Sequence, residues 1–210
     1  MGGRLRGKHP QQCETMNKKE KIILVGGGGH CKACIDVIEL QGKFEIAAIV
    51  DTPDKIGQNI LNYPILFTDD DLPTLAKEYQ NFHITVGHIK SVELRIKLFE
   101  ILKSLKVKLP TIISPISYVS NYASIGEGSI VMHHALVNAG AKVGTNTIIN
   151  SKALVEHDSI VGNFCHISTG AVLNGGVIVG DNSFVGSNAV VKQEVIIPNN
   201  SFIKAGSLTK

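Results

Sequence analysis

This sequence has no apolar run approaching the roughly 20 residues of a membrane-spanning helix, and its opening stretch lacks the apolar core of a secretory signal. Aromatic residues are scarce, at 5% of the chain, and no basic stripe interleaves with them, so nucleic-acid binding has no footprint. Neither sign of charge dominates: 21 Lys and Arg face 18 Asp and Glu. Three of the basic residues, Arg4, Arg6 and Lys8, sit in a polar, aperiodic leader (residues 1–15) that is expected to be disordered, and Met16 is read as the natural start. A chain without an export signal is expected in the cytoplasm with its four cysteines reduced. Cys31 and Cys34 form a CxxC that suits a redox pair or half of a zinc site, but Cys13 and Cys165 lie in unrelated segments and no metal is expected.

What is present changes character near Pro110. Residues 16–110 alternate short apolar runs with helical patterns, the mark of an α/β, Rossmann-like unit. Lys21–Val25 and Phe44–Val50 read as buried strands, and Cys31–Gln41 as a helix packing through Ile35, Val37, Ile38 and Leu40. A looser stretch with Pro64 and Pro73 leads to a short helix ending at Tyr79. His83–Gly87 reads as a third strand, and Val92–Leu105 as a helix with Leu94, Leu98, Ile101, Leu102 and Leu105 on its apolar side.

Residues 111–210 follow a six-residue lattice. Every sixth residue from Ile113 to Ile203 is Ile, Leu or Val, and two residues before each lies, in most repeats, a small side chain such as Ala123, Ser129, Ala153 or Cys165. Neither a helix nor an ordinary strand has that period. A triangular solenoid does: each hexapeptide supplies one flat strand and one corner, three make a coil, and fifteen intervals make five coils. The fold class is therefore an α/β Rossmann-like domain followed by a left-handed parallel β-helix. Next to the inward positions lie further apolar residues, among them Ile130, Leu136, Ile148, Leu154, Ile160, Val172, Ile178, Phe184, Val190, Ile196 and Phe202. By alternation these face outward, and so much wet apolar surface predicts an oligomer, a homotrimer suiting a prism with flat sides.

Three segments bear on chemistry. Gly26–His30 (GGGGH), between a strand and a helix, suits a phosphate: glycines admit the backbone, and the helix N-terminus offers amides. A dinucleotide fingerprint would want glycine where Cys31 stands, although Asp51 at the end of the second strand would suit a ribose in an NAD enzyme. Ala153–Ser168 (ALVEHDSIVGNFCHIS) places a histidine between acids at or near a corner. His133, His134, His157 and His166 raise a zinc alternative of the γ-carbonic anhydrase type, whose ligand spacing they do not reproduce.

Taken together, the strand–GGGGH unit, Val50–Asp51, TVGHIKSVELR at Thr85–Arg95, LPTIISPISYVS and the hexapeptides resemble the sialic acid O-acetyltransferase and nucleotide-sugar N-acetyltransferase family, from about Lys21 onward. The resemblance implies an acetyl-CoA-dependent enzyme acting on a nucleotide-linked amino sugar, with His157 as general base and Asp158, or Glu156, raising its basicity. It implies acceptor contacts at Gly28, Gly29, His30, Asp51, Thr52, Val86 and Gly87, and acetyl-CoA contacts at His166, Gly175, Ala205 and Gly206. Family members often carry a second acid where Thr52 stands, and continue past an AGS-like segment where this sequence reads Leu208, Thr209, Lys210. O-acetylation of a sialic-acid-like sugar and a non-catalytic β-helix scaffold stand as alternatives.

Overall fold

A computed structural model describes residues 19–89 and 91–210; the expected leader, with Cys13 and Met16, lies outside them. The front domain runs β1 (Glu20–Val25), α1 (Gly29–Gln41), β2 (Phe44–Val50), β3 (Asn59–Ile60), β4 (Tyr63–Phe67), α2 (Leu72–Glu78), β5 (Asn81–Ile84) and α3 (Glu93–Ser104). Its sheet has the order β3-β4-β2-β1-β5, parallel except for the β3–β4 hairpin. Strand β1 lies between two parallel neighbours, which is why Ile22, Ile23, Leu24 and Val25 are all apolar and buried. Helix α1 stops at Gly42, whose left-handed φ of 70° lets its N–H close on the Ile38 carbonyl. Cys31 and Cys34 are core residues of α1, and burial pushes the Cys31 thiol up to about 11, away from thiolate chemistry.

Several expectations shift. The looser stretch holds the β3–β4 hairpin, and α1 begins two residues earlier, at Gly29. The third strand covers Asn81–Ile84 rather than His83–Gly87. The ladder stops at Ile84 because its partner β1 ends at Val25, and beyond it Arg95 takes the carbonyls of Ile84 and Val86, and His166 that of His88. On α3, Leu98 and Leu102 are buried as expected, but Leu94 is exposed and Arg95 takes its place inside.

The C-terminal half is a left-handed β-helix of seventeen two-residue strands, from Ile112–Ile113 to Leu208–Thr209, stacked in three parallel sheets. Each strand pairs with the one 18 residues on, as Val137 does with Val155, so six residues form one side and eighteen one coil. The inward aliphatics form one continuous core with the alanines and Cys165 between them. The small Ser and Thr positions do more than fit. Ser129 Oγ donates to the Gly144 carbonyl at 2.7 Å, and Thr147 Oγ1 to Gly162 at 2.9 Å, so buried hydroxyls tie each coil to the next. At every corner from 128 to 206, one residue in six has positive φ. Ten of these fourteen are Gly, Asn or Asp, the types that tolerate the left-handed region best.

The prism's sides differ. The front side, carrying Ile112, Ile130, Ile148, His166, Phe184 and Phe202, packs against the front domain: α1 shares a core with Ile112, Ile130, Met132 and Ile148. The outward apolar residues are thus not all left wet; Ile130, Ile148 and Phe184 are buried by the chain itself. Phe99 of α3 meets Phe164 edge-on at 5.3 Å, and Gln41 Nε2 donates to the Ile113 carbonyl at 3.1 Å. Within this junction His30, His83, His88 and His166 surround the fully buried Arg95. Burial first, and then the Arg95 charge, holds His30 and His83 down to about 3. Burial likewise takes His166 to about 4 and lowers His88.

Two outcomes follow. A Cβ at Gly144 would sit 2.6 Å from the Gly162 backbone, whereas one at Gly29 meets nothing within 4 Å. Gly144→Ala should cost about 1–3 kcal/mol or more in denaturant unfolding, and Gly29→Ala should be neutral or mildly stabilising. The histidines are neutral when folded but titrate near 6.5 when unfolded. Their contribution is full above that value and is lost as pH falls toward about 4 for His166 and about 3 for His30 and His83, because the unfolded chain takes up protons the folded one refuses. The Tm should fall between pH 7.5 and 5, and His83→Phe, which removes a ring with both nitrogens unpartnered, should flatten the slope; equal slopes would contradict this account.

Candidate functional site

The corner between the second side (Tyr118 through Leu208) and the third side (Ser124 through Ile196) carries Glu156, His157 and Asp158. Val155 points into the core, the chain turns, and Asp158 adopts the left-handed φ of 59° found at each corner from 128 to 206. Backbone bonds hold the turn from both neighbouring coils: Asp158 N–H donates to Ala139 at 3.1 Å, and Gly176 N–H to the His157 carbonyl at 3.0 Å. His157 and Asp158 are thereby projected outward, and both side chains are largely exposed.

His157 Nδ1 lies 2.9 Å from Asp158 Oδ2. That bond, the leading cause, raises the imidazole pKa above its ordinary value, with smaller help from the Asp158 and Glu156 charges against a desolvation effect. With the proton held at Nδ1, Nε2 presents its lone pair. Glu156 braces the turn instead. Its Oε2 accepts from the His157 backbone N–H at 3.0 Å and from Asn138 Nδ2 at 2.8 Å, and these bonds, in that order, lower its pKa. Asp158, not Glu156, is the partner of the ring.

Two glycines make room for the pair. A Cβ at Gly175, one coil below, would stand 2.7 Å from His157 Nε2, and one at Gly140, a coil above, 2.5 Å from Asp158 Oδ1. The gap at Gly175 and Gly176 opens a cleft of about 560 Å³ between His157–Asp158 and Gln193–Glu194, with Asn174 on its wall. Sequence reasoning missed Asn138, Gly140, Asn174, Gln193 and Glu194. The signal was available, because residues 18 apart stack, and counting from 156–158 reaches all of them.

His166 is not brought to this cleft. It faces the front domain, with Nδ1 donating to the His88 carbonyl at 2.5 Å, Nε2 facing Asn150 Nδ2 at 3.0 Å, and the His30 ring 6.4 Å away. Ala205 and Gly206 occupy another edge, between the front and second sides, where Gly206 N–H bonds the Ser187 carbonyl. The four histidines considered for zinc are dispersed: His133 is spent on Ser114 and Asp36, both at 2.7 Å. Among the described residues no three His, Cys, Asp or Glu side chains gather as a metal would require.

The front-domain residues do converge, at the carboxyl ends of β1 and β2, where ligands of open α/β sheets bind. Gly28 and Gly29 are exposed at the start of α1, while His30 Nε2 is sealed without a partner. Asp51 accepts from the Gly27 N–H (2.6 Å), the Thr52 N–H (2.7 Å) and Lys55 Nζ (3.0 Å). Burial alone would raise its pKa, but the Thr52, Lys55 and Gly27 bonds together lower it. Asp51 is thus committed to shaping the glycine loop. Beside it a small cavity of about 80 Å³ reaches Val86 and Leu98, and adjoins one of about 240 Å³ lined by Thr52, Asp69 and Lys97. Asp69 and Lys97 carried no pattern in sequence; the fold alone brings them to the pocket.

Both halves of the chain are similar to known proteins. Residues 21–102 match the PglD N-terminal domain model, and residues 158–193 the bacterial transferase hexapeptide model (six repeats). The acetyltransferase domain of PglB from Neisseria gonorrhoeae FA1090 is 30% identical, with a TM-score of 0.84 over 91% of this chain and 92% of that one. PerB from Caulobacter crescentus, solved with CoA and GDP-perosamine, is 32% identical, with a TM-score of 0.84 over 90% and 88%. WeeI from Acinetobacter baumannii AYE, at 22% identity and a TM-score of 0.80 over 91% and 92%, shares the fold. No curated protein matches in sequence. Identity of this extent across both domains establishes that the chain is an acetyltransferase belonging to the nucleotide-sugar acetyltransferase family, a PglD-type front domain joined to a left-handed β-helix.

Proposed function

We propose that this acetyltransferase moves acetyl from acetyl-CoA to the amino group of a nucleotide-linked amino sugar, with His157 as general base. The observation that carries the reading is the His157–Asp158 pair, its Nε2 turned toward an open cleft by the absence of a side chain at Gly175. The amine attacks the thioester carbonyl carbon, Nε2 takes the proton as the C–N bond forms, and the C–S bond breaks with the proton passing to the departing thiol. Gly175 leaves room for the pantetheine arm, and Ala205 and Gly206 lie on the far edge of the same side. The acceptor's nucleotide occupies the front pocket: Gly28 and Gly29 offer amides to phosphate, Thr52 and Val86 line the pocket, Gly87 lies against His30 beside it, and Asp51 keeps the loop in shape. The amino-sugar assignment draws on PerB, whose structure holds GDP-perosamine and CoA. His166, with both ring nitrogens engaged, is left out of the assignment.

A homotrimer completes the proposal. The two sides not covered by the front domain carry stacked apolar columns. Leu136, Leu154, Val172 and Val190 lie on one; Ile160, Ile178 and Ile196, at 41%, 37% and 69% exposure, lie on the other. The edge where they meet is the edge of His157, so burying them between subunits would put the base at a subunit boundary.

His157→Ala should leave the fold and acetyl-CoA affinity intact while lowering kcat about 10²–10⁴-fold; near-normal turnover would sink the assignment. Asp158→Asn, tolerated at a left-handed corner, should shift the acidic limb of kcat/KM to lower pH, because the raised imidazole pKa depends chiefly on that carboxylate. An unmoved limb with the same acceptor would assign Asp158 another role. In sedimentation, the wild type should run at three times the chain mass at micromolar concentration, and Ile178→Asp as a monomer of low activity. A monomeric, fully active wild type would remove the trimer.

A further inference from the structure

Arg95 is the largest fully buried side chain, at 1% exposure, yet among the described residues no carboxylate pairs with it. Burial lowers its pKa only to about 10, so it stays a cation at neutral pH. Burying such a charge is costly unless it is hydrogen-bonded; Nε has no partner among the described residues, and the two terminal nitrogens carry all the bonds. Its bonds run in two directions. Nη1 donates to the carbonyls of Ile84, at 3.2 Å, and Val86, at 2.5 Å, both in the front domain. Nη2 donates to the Asn146 carbonyl, at 2.9 Å, and to Asn146 Oδ1, at a left-handed corner of the solenoid.

The stretch gripped in this way borders the front pocket. From Ile84 to His88, alternate carbonyls are claimed from outside the strand: those of Ile84 and Val86 by Arg95, and that of His88 by His166 Nδ1 of the solenoid. The opposite edge is tied to the glycine loop: Thr85 N–H donates to Val25 at 2.8 Å, and Thr85 Oγ1 to the Gly26 carbonyl at 2.5 Å. Val86 and Gly26 line the small cavity beside Asp51. A rigid planar fork can hold two carbonyls on one body and two acceptors on another at a fixed spacing, which a lysine, a point donor, cannot.

We propose that Arg95 is a positioning residue: its guanidinium sets the distance and orientation of the front pocket relative to the solenoid that carries His157, so that a bound acceptor presents its amino group to the base. The inference rests on the acceptor reading above. Its signature is a loss in kcat without a matching loss in binding, since displacement of about 1 Å is enough to cost on the order of 100-fold in rate.

The test uses Arg95→Met, Arg95→Lys and Asn146→Gly, the last removing the Oδ1 acceptor while suiting the left-handed corner. Thermal unfolding checks each fold, calorimetry with GDP, UDP and acetyl-CoA reads both sites, and steady-state kinetics separates kcat from KM. Arg95→Met should lower kcat at least about tenfold, with nucleoside diphosphate and acetyl-CoA affinities little changed, and Arg95→Lys should not restore it. Asn146→Gly should move kcat in the same direction, and the double variant should be no worse than Arg95→Met alone. Should Arg95→Met fail to fold, Asn146→Gly, which keeps the arginine, decides. An unchanged kcat in a folded variant, or a kcat that falls only together with nucleotide affinity, overturns the proposal. If the wild type binds neither GDP nor UDP, the acceptor reading fails first and takes this inference with it.

Discussion

The stacking of residue i on residue i+18 is the constraint from which the rest of the solenoid follows. Parallel ladders that repeat every coil leave no freedom in register, so each corner turns in the same six-residue step, and from 128 to 206 each does so with one residue in the left-handed region. The same registry brings backbone so close at Gly126 and Gly144 that a side chain has no place. It also builds the candidate site. Glu156 is held by Asn138, Asp158 fits under Gly140, and His157 stands over Gly175 because these residues share a column. A rigid scaffold is what a proton acceptor needs, since its efficiency depends on where Nε2 sits as much as on its basicity.

The second organising feature is the seam between the two halves. One side of the prism gives up its outward apolar residues to α1, and beside them lie buried polar groups: four histidines, Asn146 and an arginine with no carboxylate partner among the described residues. Neutral imidazoles beside a fixed cation are compatible only while they stay unprotonated. Specific geometry is obtained there at the expense of stability, a pattern expected where two bodies must keep a set relation. One half carries the glycine loop and its adjoining cavities, and the other the His157–Asp158 corner.

The lattice from Ile113 to Ile203 was legible because a solenoid core is one-dimensional: its period is written along the chain and no distant segment alters it. His157 and Asp158 were legible through their acidic context and the resemblance, and their corner followed from the distance to Val155. The front domain was less so. The strand expected at His83–Gly87 ends at Ile84, opposite the last residue of β1, and the carbonyls of Ile84, Val86 and His88 are claimed instead by Arg95 and His166 from elsewhere in the chain. On α3, a helical pattern pointing Leu94 inward could not anticipate that the neighbouring Arg95 finds four acceptors inside.

By itself, then, the sequence determined the two-part architecture and the inward and outward order of the hexapeptides, since each depends on local period; it pointed to His157 only through its acidic neighbours together with the resemblance. Only the tertiary structure decided which side of the prism the front domain covers, that Asp158 and not Glu156 holds the imidazole, that His166 belongs to the seam, and that Asp51 is spent on its own loop. Each of those outcomes is a competition among hydrogen-bond partners or apolar faces far apart in the chain. Such competitions are settled by proximity after folding, and proximity of that kind leaves no period behind.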